Sequence, residues 1–180
     1  MTVANLVTLL RVLLVPVIVY ALIEGLYGWA FAMFVAAGLS DAVDGAIARL
    51  FDQQSELGVI LDPIADKLLL VSVFVMLGFL EALPTWLVTA VVSRDLVIVS
   101  GVLITYLLGH PMTVRPALVS KFNTAAQIAL AALVLLALAL EARWPVAIGL
   151  LVWTTALLTA ASLVLYTGQW LRHVGADANE

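Results

Sequence analysis

Cysteine is absent from the 180-residue chain, which excludes disulfides and thiolate metal sites and leaves the redox compartment unread. Histidine is nearly absent: His110 and His173 lie far apart in sequence and make an imidazole-built zinc site a poor reading. Charge is scarce as well, at 11% of residues against about 25% in soluble domains. The formal net charge is −4 and no basic block occurs, so nothing points to nucleic acid as a partner. The N-terminus has no positive n-region before an apolar core and no Arg- and Ser-rich amphipathic stretch, so neither a cleaved signal peptide nor a transit peptide is expected. No internal repeat, low-complexity tract or linker suggests a second domain, and a single domain over residues 1–180 is expected.

What is abundant is apolar side chain. Hydrophobic residues make up 64% of the chain, and the mean hydropathy is +1.17. A soluble domain of this length has no interior large enough to hide so much apolar surface, so the bilayer must be its solvent. Each spanning helix needs roughly 20 apolar residues. Six stretches meet that need: about Leu6–Ile23, Trp29–Ala48, Pro63–Leu80, Trp86–Leu108, Phe122–Leu140 and Trp144–Tyr166. Turn or polar residues separate most of them: Glu24-Gly25, Glu81-Ala82-Leu83-Pro84, Gly109-His110-Pro111 and Glu141-Ala142-Arg143. The expected fold is therefore an all-α integral membrane protein with six transmembrane helices. Arg49, Arg115, Lys121 and Arg172 fall on one side of such a bundle. Glu24, Glu81, Glu141 and Arg143 fall on the other. The positive-inside rule then puts both termini in the cytoplasm. Trp29, Trp86, Trp144 and Trp153 lie mostly near expected helix ends, as an interfacial aromatic belt would have them.

Against this background the acidic residues between 41 and 66 stand out. Asp41, Asp44, Gly45, Ala48 and Arg49 fall at i, i+3, i+4, i+7 and i+8, one continuous helix face. Asp62 and Asp66, four apart, share another, with Gly58 one turn earlier if the helix extends back that far. The short connection makes the two helices antiparallel neighbours, so four carboxylates converge at the cytoplasmic end of one hairpin. Buried carboxylates are costly unless paired or metal-bound. Arg49 and Lys67, the nearest cations in sequence, cannot neutralise four, whereas one or two divalent cations can. An all-oxygen donor set favours Mg²⁺, Mn²⁺ or Ca²⁺. Gly45, Ala48 and Gly58 are small enough to let a neighbouring helix or a flat substrate approach closely. Plainer readings exist for single residues: Asp44-Gly45 alone suits a turn, and Asp62-Pro63 reads as an N-cap followed by proline at the first helical position. Capping accounts for Asp62 and leaves the other three unexplained.

The pattern Asp41-x2-Asp44-Gly45-x2-Ala48-Arg49-x8-Gly58-x3-Asp62-x3-Asp66 resembles the CDP-alcohol phosphatidyltransferase signature at all eight fixed positions. The resemblance extends from about Asn5 to Arg172 and implies a six-helix membrane fold, usually homodimeric, with a cytoplasm-facing polar cavity. It also implies that Asp41, Asp44 and Asp62 bind two metals, Mg²⁺ or Mn²⁺, with Asp66 reaching the second and acting as general base. Asp44, Gly45, Ala48, Arg49 and Gly58 would form the nucleotide pocket for CDP-diacylglycerol. Basic residues outside the motif should hold the phosphate of an anionic acceptor alcohol, and the candidates are Arg94, Arg115 and Lys121. An arginine inside an apolar stretch needs a polar cavity or a partner. Asp95 offers one, although adjacent helix residues point in different directions.

Finer similarity lies in Ser93-Arg94-Asp95, in the run from Arg115 to Gln127, and in the stretches Trp153-Thr154-Thr155 and Thr159-Ala160-Ala161-Ser162. These resemble the CMP-forming cardiolipin synthases, whose acceptor is phosphatidylglycerol. The phosphatidylglycerophosphate synthases, which use glycerol 3-phosphate, are similar but commonly carry Arg-Glu where this chain has Arg94-Asp95. The loop before Arg115 is shorter than in the mitochondrial enzymes, which suggests a bacterial cytoplasmic membrane. A cation or proton transporter using the aspartates as an ion path is the alternative of another class. Inverted repeats and paired broken helices, its usual marks, are missing from the sequence. A scaffold protein would leave the buried charges without a role.

Overall fold

Long runs of Leu, Val, Ala and Ile favour helix when no water competes for the backbone. In the computed structural model they form α1 (Val3–Ile23), α2 (Tyr27–Phe51), α3 (Glu56–Phe79), α4 (Thr85–Leu107), α5 (Leu118–Ala139) and α6 (Pro145–Asp177). The structure describes residues 3–51, 56–107 and 118–177, with side chains over 9–40, 65, 67–101 and 118–168. No strand occurs among the described residues. All six expected helices are present, mostly with ends within a few residues of the expected ones. α5, at 22 residues, and the Pro145–Gly168 part of α6, at 24, are long and apolar enough to cross a membrane.

One expectation is corrected. α3 begins at Glu56, six residues before Asp62. Asp62 is therefore inside the helix and is not its N-cap, and Pro63 is an interior proline. The apolar run Val59-Ile60-Leu61 continues the helical pattern upstream, and a proline in a membrane helix forfeits one backbone bond without ending the helix. The longer helix brings Gly58 onto the same element as Asp62 and Asp66.

The chain divides into two compact units, one of Met1–Leu83 with Ala131–Trp144 and one of Pro84–Leu130 with Pro145–Glu180. In the first unit α1 packs on both α2 and α3. Its inner stripe is Arg11, Val15, Ile18 and Leu22, at i, i+4, i+7 and i+11. α2 adds Ala30, Phe34 and Ala37, and α3 adds Ala65, Leu69, Val73, Phe74 and Leu77.

Three turns of this unit close in the same way. The amide of Leu26 donates to the Ala21 carbonyl, that of Ala82 to Leu77 and that of Ala142 to Ala137, while the amides of Gly25, Glu81 and Glu141 donate to Leu22, Gly78 and Leu138. This is the Schellman cap, which needs a left-handed residue just past the helix. Gly25 takes it at φ 72°, but Glu81 and Glu141 take it at φ 57° and 51°. A non-glycine residue there is strained by roughly 1–2 kcal/mol, of which glycine's own chain entropy returns part. Glu81→Gly and Glu141→Gly should each stabilise the protein by about 0.5–1 kcal/mol, read as a raised thermal midpoint in detergent. A lowered midpoint would contradict the cap assignment.

In the second unit α4 and α6 run in the same direction. The Trp86 and Trp153 rings meet at 5.7 Å, tilted by 40°, Arg94 bonds Ser162, and the Tyr166 hydroxyl donates to the Ile98 carbonyl at 3.1 Å. These pairs keep a near-constant offset along the two helices. α6 is polar inside and apolar outside. Its buried stripe is Val152, Thr155, Thr159, Ser162 and Tyr166, and its exposed stripe is Val146, Leu150, Trp153, Leu157 and Val164. Water would reverse that arrangement, whereas lipid tails favour it.

Candidate active site and the buried polar face

α2 and α3 carry the signature. Asp41, Asp44, Gly45, Ala48 and Arg49 lie in the second half of α2, and Gly58, Asp62 and Asp66 in the first half of α3. The backbone gives each group the shared helix face expected from its spacing. The side chains of these eight residues lie outside the described ones, and Arg115 lies outside them altogether. Next to Asp66 on either side, Ala65 is fully buried and Lys67 half-buried, which fixes the surrounding turn of α3 in the first unit.

Sequence reasoning missed a cation in this unit. Arg11 is 3% exposed on the stripe that α1 turns toward its neighbours, and α1 packs on the two helices that carry the aspartates. A guanidinium buried in an apolar interior is costly unless it meets polar or anionic groups. Its signal was available, since Arg11 falls at i, i+4, i+7 with Val15 and Ile18, but a cation count confined to the motif's neighbours passed over it.

The second unit places Arg94, a proposed acceptor contact, 3% exposed in the helix interior. Its Nη1 pairs with Asp95 Oδ1 at 2.7 Å. Its Nε donates to Ser162 Oγ at 3.2 Å, Nη2 donates to Ser120 Oγ at 2.6 Å, and Nη2 also reaches Ser162 Oγ. The Asp95 pairing resolves the doubt over neighbouring residues, because the guanidinium stem is long enough to fold back along its own helix. Lys121, the other acceptor candidate within the described residues, is exposed. It lines a shallow groove of about 420 Å³ with Ser120, Thr124, Ala125 and Ile128. Ser120 thus belongs to both the groove and the Arg94 cluster.

The helices that meet at Arg94 also carry buried neutral polar side chains that the sequence marked only as family resemblance. Asn123, Gln127, Thr155, Thr159 and Ser162 are all buried, and Thr159 Oγ1 donates to Asn123 Oδ1 at 2.9 Å. Each such residue is unremarkable in a membrane helix, and the set becomes visible only when the helices are paired.

The model of the CDP-alcohol phosphatidyltransferase family matches residues 1–166. The chain belongs to that family. A probable CMP-forming cardiolipin synthase of Drosophila melanogaster is 37% identical over 145 residues, 72% of this chain and 45% of that protein. The human CMP-forming cardiolipin synthase is 34% identical over 181 residues, 92% of this chain and 60% of that protein. A putative cardiolipin synthase of Mycobacterium tuberculosis is 40% identical over 96 residues, 53% of this chain and 46% of that protein. The matches thus span about half to three fifths of the length of these relatives.

Proposed function

We propose that this chain transfers the phosphatidyl group of CDP-diacylglycerol to a hydroxyl of phosphatidylglycerol, forming cardiolipin and releasing CMP. The observation that carries this reading is the complete signature from Asp41 to Asp66, held on two helical faces in a chain of this family. Similarity to relatives named as CMP-forming cardiolipin synthases supports the choice of acceptor.

The donor set fits a hard cation: four carboxylates on two sequence-adjacent helices and no cysteine in the chain. Asp41, Asp44, Asp62 and Asp66 would hold two Mg²⁺ or Mn²⁺ ions, which when bound neutralise the diphosphate and the charge of departing CMP. Asp66 takes the proton of the acceptor hydroxyl. The freed oxygen attacks the lipid-side phosphorus in line, and the bond from that phosphorus to the bridging oxygen breaks, so CMP leaves with that oxygen. Gly45, Ala48 and Gly58 leave room for the nucleotide, and Arg49 supplies charge beside it. Arg94, oriented by Asp95, Ser120 and Ser162, is a preplaced cation for the acceptor phosphate, with Lys121 and Arg115 as further contacts.

In this reading residues 1–180 act as one catalytic domain with six spans, both termini in the cytoplasm and two copies per functional unit. The host is a bacterial cytoplasmic membrane. The charge asymmetry of the turns and the inside-out polarity of α6 support the topology.

The test offers purified protein CDP-diacylglycerol with Mg²⁺ or Mn²⁺ and, separately, phosphatidylglycerol, glycerol 3-phosphate, inositol phosphate and serine, with lipid products weighed by mass spectrometry. Cardiolipin from phosphatidylglycerol supports the proposal, and phosphatidylglycerophosphate alone would replace the acceptor. Removing divalent cations with EDTA should abolish CMP release, and excess Mg²⁺ or Mn²⁺ should restore it. Turnover that survives chelation would sink the metal assignment, and ion flux in liposomes without CMP release would favour a transporter.

A further inference from the structure

The hydrogen bonds of the second unit fix the register of α5 against α6. Arg94 bridges Ser120 to Ser162, and Thr159 bonds Asn123, so three residues forward on α5 match three back on α6. The helices are antiparallel there. Continued by one turn, the same register sets Gln127 level with Thr155, and the next level is apolar, with Leu130 against Val152. The result is a ladder of three polar rungs: a cationic one at Arg94, then Asn123 with Thr159, then Gln127 with Thr155.

The two deeper rungs carry no charge, and they are under-satisfied. Asn123, Gln127 and Thr155 are each 0% exposed. Asn123 Nδ2, both Gln127 side-chain atoms and Thr155 Oγ1 have no hydrogen-bond partner among the described residues. Residues serving only as glue between membrane helices would bond one another, and each buried polar group left without a partner costs about 1–3 kcal/mol. Donors and acceptors mixed at one place, without charge, match a hydroxyl group, which is itself both donor and acceptor. Helix side chains lean toward their own N-terminus, so Gln127 leans along α5 toward Asn123 and the cationic rung. Successive rungs lie three and then four residues apart on α5, about 4.5–6 Å of helix rise, comparable to the span from the phosphorus of a glycerol phosphate to its secondary hydroxyl. Ser120, on the cationic rung, also lines the open groove beside Lys121.

We propose that Asn123 and Gln127, with Thr155 behind them, recognise the secondary hydroxyl of the acceptor's glycerol while Arg94 faces its phosphate. This rests on the phosphatidyltransferase reading above and makes the lower ladder the element that selects a glycerol headgroup.

The experiment compares each acceptor with its analogue lacking that hydroxyl: phosphatidylglycerol against phosphatidyl-1,3-propanediol, and glycerol 3-phosphate against 3-hydroxypropyl phosphate. For the acceptor used, wild-type kcat/KM should favour the glycerol compound by about tenfold or more, and Gln127→Met should shrink that ratio to about threefold or less. A structural role would lower both acceptors together and leave the ratio unchanged, and that result would overturn the proposal. So would a wild-type ratio near one, the result expected if the ladder holds water. If Gln127→Met does not fold, Thr155→Val, which removes one hydroxyl at nearly constant shape, carries the same comparison. Product from glycerol 3-phosphate but not phosphatidylglycerol would change the acceptor while leaving the ladder supported or refuted by its own ratio. No product from either would overturn both readings.

Discussion

Asp66→Asn is expected to slow CMP release by about 10²–10⁴-fold, the usual contribution of a positioned general base, while the protein remains folded in detergent. Asparagine keeps the shape and one carbonyl oxygen and cannot take the proton. The surrounding turn of α3 is held by Ala65, Leu69 and Leu70, all buried, so an isosteric change has little structural reason to propagate. Size-exclusion and thermal melting in detergent check the fold, and CMP release at saturating metal checks the chemistry. Asp41→Asn should differ in kind, raising the metal concentration needed for half-maximal rate. Near-normal turnover by Asp66→Asn would remove the base assignment while leaving its role as a ligand open to the metal titration.

The second large effect belongs to Arg94. Replacing it with leucine leaves Asp95, 6% exposed, without the guanidinium 2.7 Å away. Breaking a buried ion pair from one side costs about 3–5 kcal/mol, whereas removing both partners is often near neutral. Arg94→Leu should therefore lower the thermal midpoint sharply, and Arg94→Leu with Asp95→Leu should recover much of the loss without recovering activity. Arg94→Lys should sit between, because an ammonium keeps the charge but not the planar fork that meets Ser120 and Ser162 together. If the double variant is as unstable as the single one, the cost lies in packing and not in the broken ion pair.

Which parts of this were legible in the sequence follows from what each signal depends on. Helix positions depend on local apolar runs, and α1 to α6 lie close to where those runs put them. The signature depends on spacing within a helix, and both groups fall on continuous helices as expected. Asp62-Pro63 misled because a proline in water ends a helix or starts one, and the membrane relaxes that rule. The lower ladder was illegible for a different reason. Asn123, Gln127, Thr155 and Thr159 gain meaning from a register between two helices far apart in sequence, and no local pattern encodes it. Arg11 lay between these cases, its period visible and its neighbours not.

The outward stripe of α6 inverts the ordinary rules of substitution. In a soluble protein the surface is where change is tolerated and the interior is where apolar volume must be conserved. Along Val146, Leu150, Leu157 and Val164 any apolar side chain serves, because lipid tails adapt to its shape, and a lysine is what the position refuses. Along Thr159 and Ser162 it is apolar replacement that is conspicuous, since it deletes hydrogen bonds where water cannot supply new ones. Variation in this helix should therefore be conservative in polarity outside and conservative in hydrogen bonding inside, a constraint that hydropathy alone would misjudge on both faces.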